Sequence, residues 1–357
     1  MLTICYPFVG DSIGGSHKSA LTLIAGLDRK RFHPLVVLHR SNGPLAEFLQ
    51  AEHIPFELLP LGALSGASPS LAEIAKAQVK SFARLRSFIR GHDIDLVHSN
   101  DLRCNLTWGP ASKMAACHVW HQRTVLSSSP LWRLIGMFTD HVICISETVR
   151  NTYRSYAPAT TVANPFASVT VSRDEARRSL REELGIGTDR HVVGYVGRLV
   201  SGKGLEIFAR LPELLPDSVF LVAGEGPLQE LLPSSVRGLG FRHPVEPLIA
   251  GLDTLVAPSR QEGFGRTLVE AMMAGTPVVS SDIAAHREVS RGGQLAALVT
   301  SAEATDYAKV IAAIRDDPEL ANRMAQEGRA HAKANYSSAT HVRAVEAIYL
   351  SLLRPNE

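Results

Sequence analysis

Val192-Val193-Gly194-Tyr195-Val196-Gly197-Arg198-Leu199-Val200-Ser201-Gly202-Lys203-Gly204 decides how this chain is organised. The opening β-branched and aromatic run predicts a strand, and the glycines behind it predict a tight turn into a helix. Just before it, after Asn164-Pro165, the pattern loosens into the Ser-, Arg-, Asp- and Glu-rich stretch Ser172 to Glu183. On the amino-terminal side of that break, apolar runs recur at Thr3–Val9, Leu35–His39, Leu96–His98, His118–His121, His141–Ile145 and Thr160–Val162. Helical patterns lie between them at Ser16–Leu27, Leu71–Arg90 and Thr148–Tyr153. Beyond the break, strand patterns continue at Val219–Ala223, Asp253–Ala257 and Pro277–Ser280. Strand–helix alternation predicts parallel sheets covered on both faces. Two such runs predict an α/β chain of two doubly wound domains. Ala302 to Leu353 reads as helix, with a start at Asp317-Pro318-Glu319 and a break at Asn335-Tyr336-Ser337 before the terminal helix.

The composition fits this plan. At 357 residues, with 45% hydrophobic and 20% charged residues, both halves are long enough to bury a core without staples. A formal charge of +2 gives no argument for nucleic acid as a partner. Cys5, Cys104, Cys117 and Cys144 form no metal-ligand spacing and read as free thiols in a reducing compartment. No signal-like or membrane-spanning stretch is present, so the expected location is cytoplasmic. Residues 1–165 hold 16 Lys and Arg against 11 Asp and Glu, and the remainder 21 against 24. Part of the basic excess sits in Leu71–Arg90, where Lys76, Lys80, Arg84, Arg86 and Arg90 lie mainly opposite Ile74, Phe82, Leu85 and Ile89. The plainer reading is a solvated helix face. The sharper one is contact with an anionic acceptor or with the inner face of a membrane.

Ligands of such sheets gather at the carboxyl ends of the strands. Gly14-Gly15-Ser16-His17-Lys18-Ser19 follows the first strand, where backbone N–H groups and a helix N-terminus suit an anion; a plain tight turn explains it equally well. Arg198 and Lys203 flank flexible backbone after the strand at 192–196, a planar fork and a point charge that suit a diphosphate. In Pro258-Ser259-Arg260-Gln261-Glu262-Gly263-Phe264-Gly265-Arg266-Thr267-Leu268-Val269-Glu270-Ala271-Met272, a two-glycine loop feeds an apolar helix bearing Glu270. That carboxylate is placed to accept from a ribose diol and, in an apolar helix, needs a partner. His121, at the end of a first-half strand, is placed to meet a ligand held by the second half, though a structural histidine is the commoner case. Asp93-Ile94-Asp95 imitates a metal-binding pair but precedes a strand, so it reads as an entry turn.

Glu262 and Glu270, eight apart, resemble the E-x7-E motif of retaining glycosyltransferases with the GT-B fold, and most closely family 4. Gly197-Arg198-Leu199…Lys203-Gly204, Ala223-Gly224-Glu225-Gly226-Pro227, Val142–Ser146 and Ala274–Ser280 are also similar to that family. The resemblance implies two Rossmann-like domains facing a cleft: residues 1–165 binding acceptor and 166–336 binding the nucleotide-sugar donor. It also implies a terminal helix, about 337–357, that packs back on the first domain. By position it gives Arg198 and Lys203 to the donor diphosphate and Glu270 to the ribose. Glu262 and the segment Gly263, Phe264, Gly265, Thr267 and Leu268 fall to the donor. His121 is implied to approach the transferred sugar, and Gly14 and Gly15 to lie near the diphosphate. The sequence departs from the family at Asn164-Pro165-Phe166, at Ala284-Ala285 and in the short segment Gly238–Pro244. These touch base preference and loop geometry more than chemistry.

The expected reaction is metal-independent transfer with retention, by same-face attack on the sugar, with Arg198 and Lys203 stabilising the leaving diphosphate. No cofactor is expected; the nucleotide sugar is a substrate. The acceptor would be a hydroxyl of a glycan, a lipid-linked glycan or a small molecule. Two alternatives share these residues: a sugar-nucleotide-binding protein without transferase activity, and a GT-B-fold sugar-nucleotide epimerase.

Overall fold

The computed structural model describes residues 1–62, 71–126, 136–153, 156–167 and 169–353, except for the side chains at 71–75 and 77, so the expectation for Ile74 lies outside the described residues. The chain divides into two compact units, Met1–Pro165 with Ser338–Glu357, and Phe166–Ser337.

The first unit is built on β1 (Leu2–Phe8), β2 (Phe32–Leu38), β3 (Glu57–Leu58), β4 (Leu96–Ser99), β5 (Cys117–Gln122), β6 (His141–Cys144) and β7 (Ala159–Thr161). They pair in the order β3-β2-β1-β4-β5-β6-β7, every pair parallel. The second unit uses β8 (His191–Val196), β9 (Ser218–Ala223), β10 (Val236–Gly238), β11 (Thr254–Ala257), β12 (Val278–Ser281) and β13 (Ala297–Val299), in the order β10-β9-β8-β11-β12-β13, again all parallel. Both sheets reverse direction of winding next to their first strand, so each has a switch point there, between β1 and β4 and between β8 and β11.

The apolar runs become central strands because helices cover both of their faces. One core of the first unit joins Ile4, Tyr6 and Phe8 of β1 to Val342, Val345 and Tyr349 of the terminal Ser338–Leu353 helix. On the other face Leu85 and Ile89 of the Leu71–Gly91 helix pack with Val37, Val97 and Trp108, while Lys76, Lys80, Arg84 and Arg90 are exposed. The second unit buries Val193, Tyr195 and Phe220 against Phe208, Tyr307 and Ile311.

Two expectations are corrected. The polar break contains the helix Arg173–Leu184, closed by Gly185 in the left-handed conformation. Its few apolar residues, Ala176 and Leu180, are buried, and Arg181 is buried with them because it donates to Asp253 at 2.5 Å. Of the four edge strands, β7 is the one legible in sequence, while β3, β10 and β13, of two or three residues, show no readable alternation. Asp95 forms an entry turn: Oδ2 accepts from Thr3 N at 2.7 Å, which ties β4 to β1. No helix of the described residues is long and apolar enough to cross a membrane.

Candidate active site

In the second unit the switch point gathers two loops. The turn after β8 runs through Gly197–Gly204, and the loop after β11 runs through Pro258–Gly265 into the Arg266–Ala274 helix. Arg260 N donates to Gly202 O at 2.8 Å, tying one loop to the other. Gly204 adopts φ +71°, and a Cβ there would lie 2.0 Å from Pro258 O, so only glycine allows this approach. Thr267 Oγ1 reaches Val196 O at 3.4 Å, fixing the start of the helix to the end of β8.

Lys203 and Glu262 meet across this junction, Nζ to Oε1 at 2.5 Å, with side chains 26% and 20% exposed. Ser259 Oγ donates to the same carboxylate oxygen at 2.8 Å. Lys203, Glu262, Gly265, Thr267 and Leu268 line a cavity of about 30 Å³ that reaches His286. That space takes water, not a sugar. His286 is buried; its Nδ1 lies 2.9 Å from Ser281 O. Burial lowers its pKa, partly offset by the Ser281 carbonyl and the Glu262 charge. Burial raises the Tyr195 hydroxyl pKa, with Glu262 and Glu206 adding to it. Arg198 is exposed and joins no ion pair among the described residues. The helix at Arg266 starts with no side-chain cap and no acidic residue in its first turn, which leaves its positive end for an anion.

The rest of the motif is placed differently. Leu268, Val269, Met272 and Met273 are buried, as the apolar helix requires. Glu270 is half-buried and pairs with Arg266 at 3.2 Å, the partner its position demanded. The Arg266 guanidinium lies 4.5 Å over the Phe166 ring. Phe264 is buried between Phe166 and Tyr336, so its side chain anchors the loop and only its backbone is left for a ligand.

In the first unit, Gly14 caps the Gly15–Gly26 helix in an extended conformation, with φ −162°. A Cβ would meet nothing within 4 Å, so the local structure does not demand glycine there. His121 is not at an open surface. It is 0% exposed, stacked between His98 and His341 with ring centroids at 5.3 and 5.8 Å. Its Nδ1 lies 3.2 Å from His98 Nε2 and 3.3 Å from Arg123 Nη2, while its Nε2 has no partner among the described residues. Burial, with the Arg123 charge next, holds its pKa well below the ordinary value. β5 is buried on both faces from His118 to Gln122, so this strand-end side chain is covered whichever way it points. Sequence reasoning missed Ser259, His286 and His98. Ser259 and His98 carried a usable signal, each lying at or just past a strand end; His286 carried none.

Comparison with known proteins follows the same division. The model described as Glycosyltransferase Family 4 matches residues 13–166, and that described as Glycosyl transferases group 1 matches residues 176–331. The alpha-D-kanosaminyltransferase of Streptomyces kanamyceticus is 32% identical over 179 residues, 46% of this chain and 46% of that protein. The lipopolysaccharide core biosynthesis mannosyltransferase LpcC of Rhizobium leguminosarum bv. viciae is 31% identical over 185 residues, 47% of this chain and 53% of that protein. The chain spans about half the length of these curated relatives. The structure of Anabaena Alr3699/HepE in complex with UDP and glucose superposes with a TM-score of 0.80 at 24% identity, covering 98% of this chain and 100% of that one. A glycosyltransferase of Rickettsia africae ESF-5 gives 0.82 at 15% identity over 100% and 99%. These likenesses show the fold, two parallel-sheet α/β units of GT-B type, and the two family matches cover the two units in turn. The chain belongs to the group 1 glycosyltransferases.

Proposed function

We propose that this chain is a retaining glycosyltransferase that moves a sugar from a nucleotide-diphosphate donor to a hydroxyl of a glycan, a lipid-linked glycan or a small molecule. The observation that carries this reading is the Lys203–Glu262–Ser259 cluster at the carboxyl edge of the second sheet, beside an uncapped helix start and the exposed Arg198. The donor diphosphate draws Lys203 away from Glu262 and takes Arg198 as its second cation. Glu262 is thereby freed to accept from sugar hydroxyls, together with the backbone of Gly263, Phe264 and Gly265, while Glu270 accepts from the ribose. In the first unit, Gly14 and Gly15 offer backbone N–H groups to an anion, and His121 offers a ring nitrogen to a sugar.

In the reaction the bond from the anomeric carbon to the phosphate oxygen breaks. The acceptor oxygen bonds to the same face, and its proton passes to the departing phosphate. Fixed cations stabilise the charge that develops on the leaving group, which makes the scheme independent of metal. The names of the relatives, a kanosaminyltransferase and a mannosyltransferase, and the UDP complex of HepE support a nucleotide-sugar donor. The exposed basic face of the Leu71–Gly91 helix is offered to an anionic acceptor or membrane surface. A thermal-shift series with UDP-, GDP- and ADP-sugars tests the reading. One of them at 100 times its dissociation constant should add about 2.7 kcal/mol. A chain indifferent to all three, or a Lys203→Ala variant stabilised as much as the wild type, overturns it.

A further inference from the structure

We propose that Arg123 and His98 are positioning residues that hold His121 as its neutral Nε2–H tautomer, with Tyr349 orienting His98, so that His121 meets the transferred sugar as a hydrogen-bond donor and never as a base. The role toward sugar rests on the function proposed above; the tautomer does not.

The direction of every proton follows from the groups present. Tyr6 Oη and Tyr349 Oη lie 2.9 Å apart, Tyr349 Oη contacts His98 Nδ1, and His98 Nε2 lies 3.2 Å from His121 Nδ1. Such a chain of hydroxyls and neutral imidazoles can run in either direction. Arg123 removes the ambiguity. Its guanidinium can only donate, and Nη2 faces His121 Nδ1 at 3.3 Å while also donating to Asn100 Oδ1 at 2.9 Å. Nη1 is held by Asn164 Oδ1 at 2.7 Å, so the fork is fixed at both ends. His121 Nδ1 must therefore accept, and its proton resides on Nε2. His98 then donates from Nε2, sharing the single Nδ1 lone pair of His121 with Arg123 in a three-centre bond, and accepts at Nδ1 from the Tyr349 hydroxyl, which in turn accepts from Tyr6.

His121 Nε2–H is left as a buried donor with no partner among the described residues. A buried donor of this kind points to a ligand atom that accepts, such as a sugar oxygen. His341 is set the opposite way: Nδ1 donates to Ala163 O at 2.6 Å, so its Nε2 is an acceptor and cannot supply a proton to His121. Full burial, with the Arg123 charge next, lowers the pKa of both His98 and His121 and so favours their neutral forms. Tyr349 comes from the terminal helix, which thus completes the hydrogen-bonded chain that ends at His121 of β5.

Long-range ¹H–¹⁵N spectra of the full chain with ¹⁵N-labelled histidine read each tautomer directly. The expected pattern is Nε2–H at His98 and His121 and Nδ1–H at His341; Nδ1–H at His121 overturns the proposal whatever the enzyme does. In transfer assays, His98→Leu should lower kcat about tenfold with KM little changed. His98→Gln, whose amide N–H can replace the lost donor, should recover most of that rate. Tyr349→Phe should mix the His98 tautomers in the same spectra. Equal loss in His98→Leu and His98→Gln, with both folded, assigns His98 to packing and overturns its positioning role. A correct tautomer pattern whose His121 signals ignore every nucleotide sugar refutes the donor reading alone.

Discussion

The two units share one architecture and use it in opposite electrical styles. At the switch point of the first unit the polar groups are buried, largely neutral and already bonded to one another, through Tyr6, Tyr349, His98 and His121. At that of the second, the groups are charged and partly open: Arg198 exposed, Lys203 and Glu262 holding each other. A buried neutral network fixes geometry before a ligand arrives. A half-open ion pair, by contrast, contributes little to stability and exchanges partners readily. The first arrangement positions, the second responds to charge. The glycine turns differ in the same sense, Gly204 locked against Pro258 and Gly14 sterically unconstrained.

The largest effect should come from removing the responsive charge. Lys203→Ala should lower kcat about 100- to 1,000-fold, and Arg198→Ala in the same direction, with little loss of thermal stability. Wild-type turnover in either variant would erase the distinction drawn between the units. Next comes the backbone contrast. Gly204→Ala should cost about 1–3 kcal/mol of stability, while Gly14→Ala should stay within about 0.5 kcal/mol. Equal melting temperatures for the two would break it.

Acid should separate the units more gently. Burial lowers the pKa of His39, His118 and His341 to about 4 and holds those of His98 and His121 well below the ordinary value, all in the first unit. In the second unit only His191, His286 and His331 are lowered. The unfolded chain binds these protons near pH 6.5 and the folded one does not. Stability from this source is therefore complete above pH 6.5 and declines as pH falls toward 4. All three tryptophans, at 108, 120 and 132, belong to the first unit. Their fluorescence should shift at a higher pH than far-UV circular dichroism; coincident curves would show that the two units unfold together. The smallest effect concerns the basic helix. Replacing Lys76, Lys80 and Arg84 by Glu should weaken adsorption to anionic vesicles by about 1 kcal/mol per residue, and a wild type that ignores such vesicles at low salt removes the membrane from the account.

The strands of both sheets were largely readable because their signals are local: β-branched runs, glycine turns and the Asp317-Pro318 start each act over a few residues. The Arg173–Leu184 helix was not, since a helix with two buried apolar residues has almost no periodic signal and owes its place to packing and to the Arg181–Asp253 pair. The motif likewise showed that Glu262 and Lys203 belong to one site, but not that each neutralises the other when no ligand is bound. His121 was identifiable as a strand-end residue, yet its burial depends on neighbours the sequence does not bring together.

By itself, then, the sequence determined two α/β units, the glycine turns, the family and the side chains available for chemistry. These follow from short-range sterics and hydrophobic period. Only the tertiary structure decided which of those side chains meet: Lys203 with Glu262 across 59 positions, and His98 with Tyr349 across 251. Such pairings depend on strand order and on where the last helix docks, and no local propensity encodes the proton directions that result.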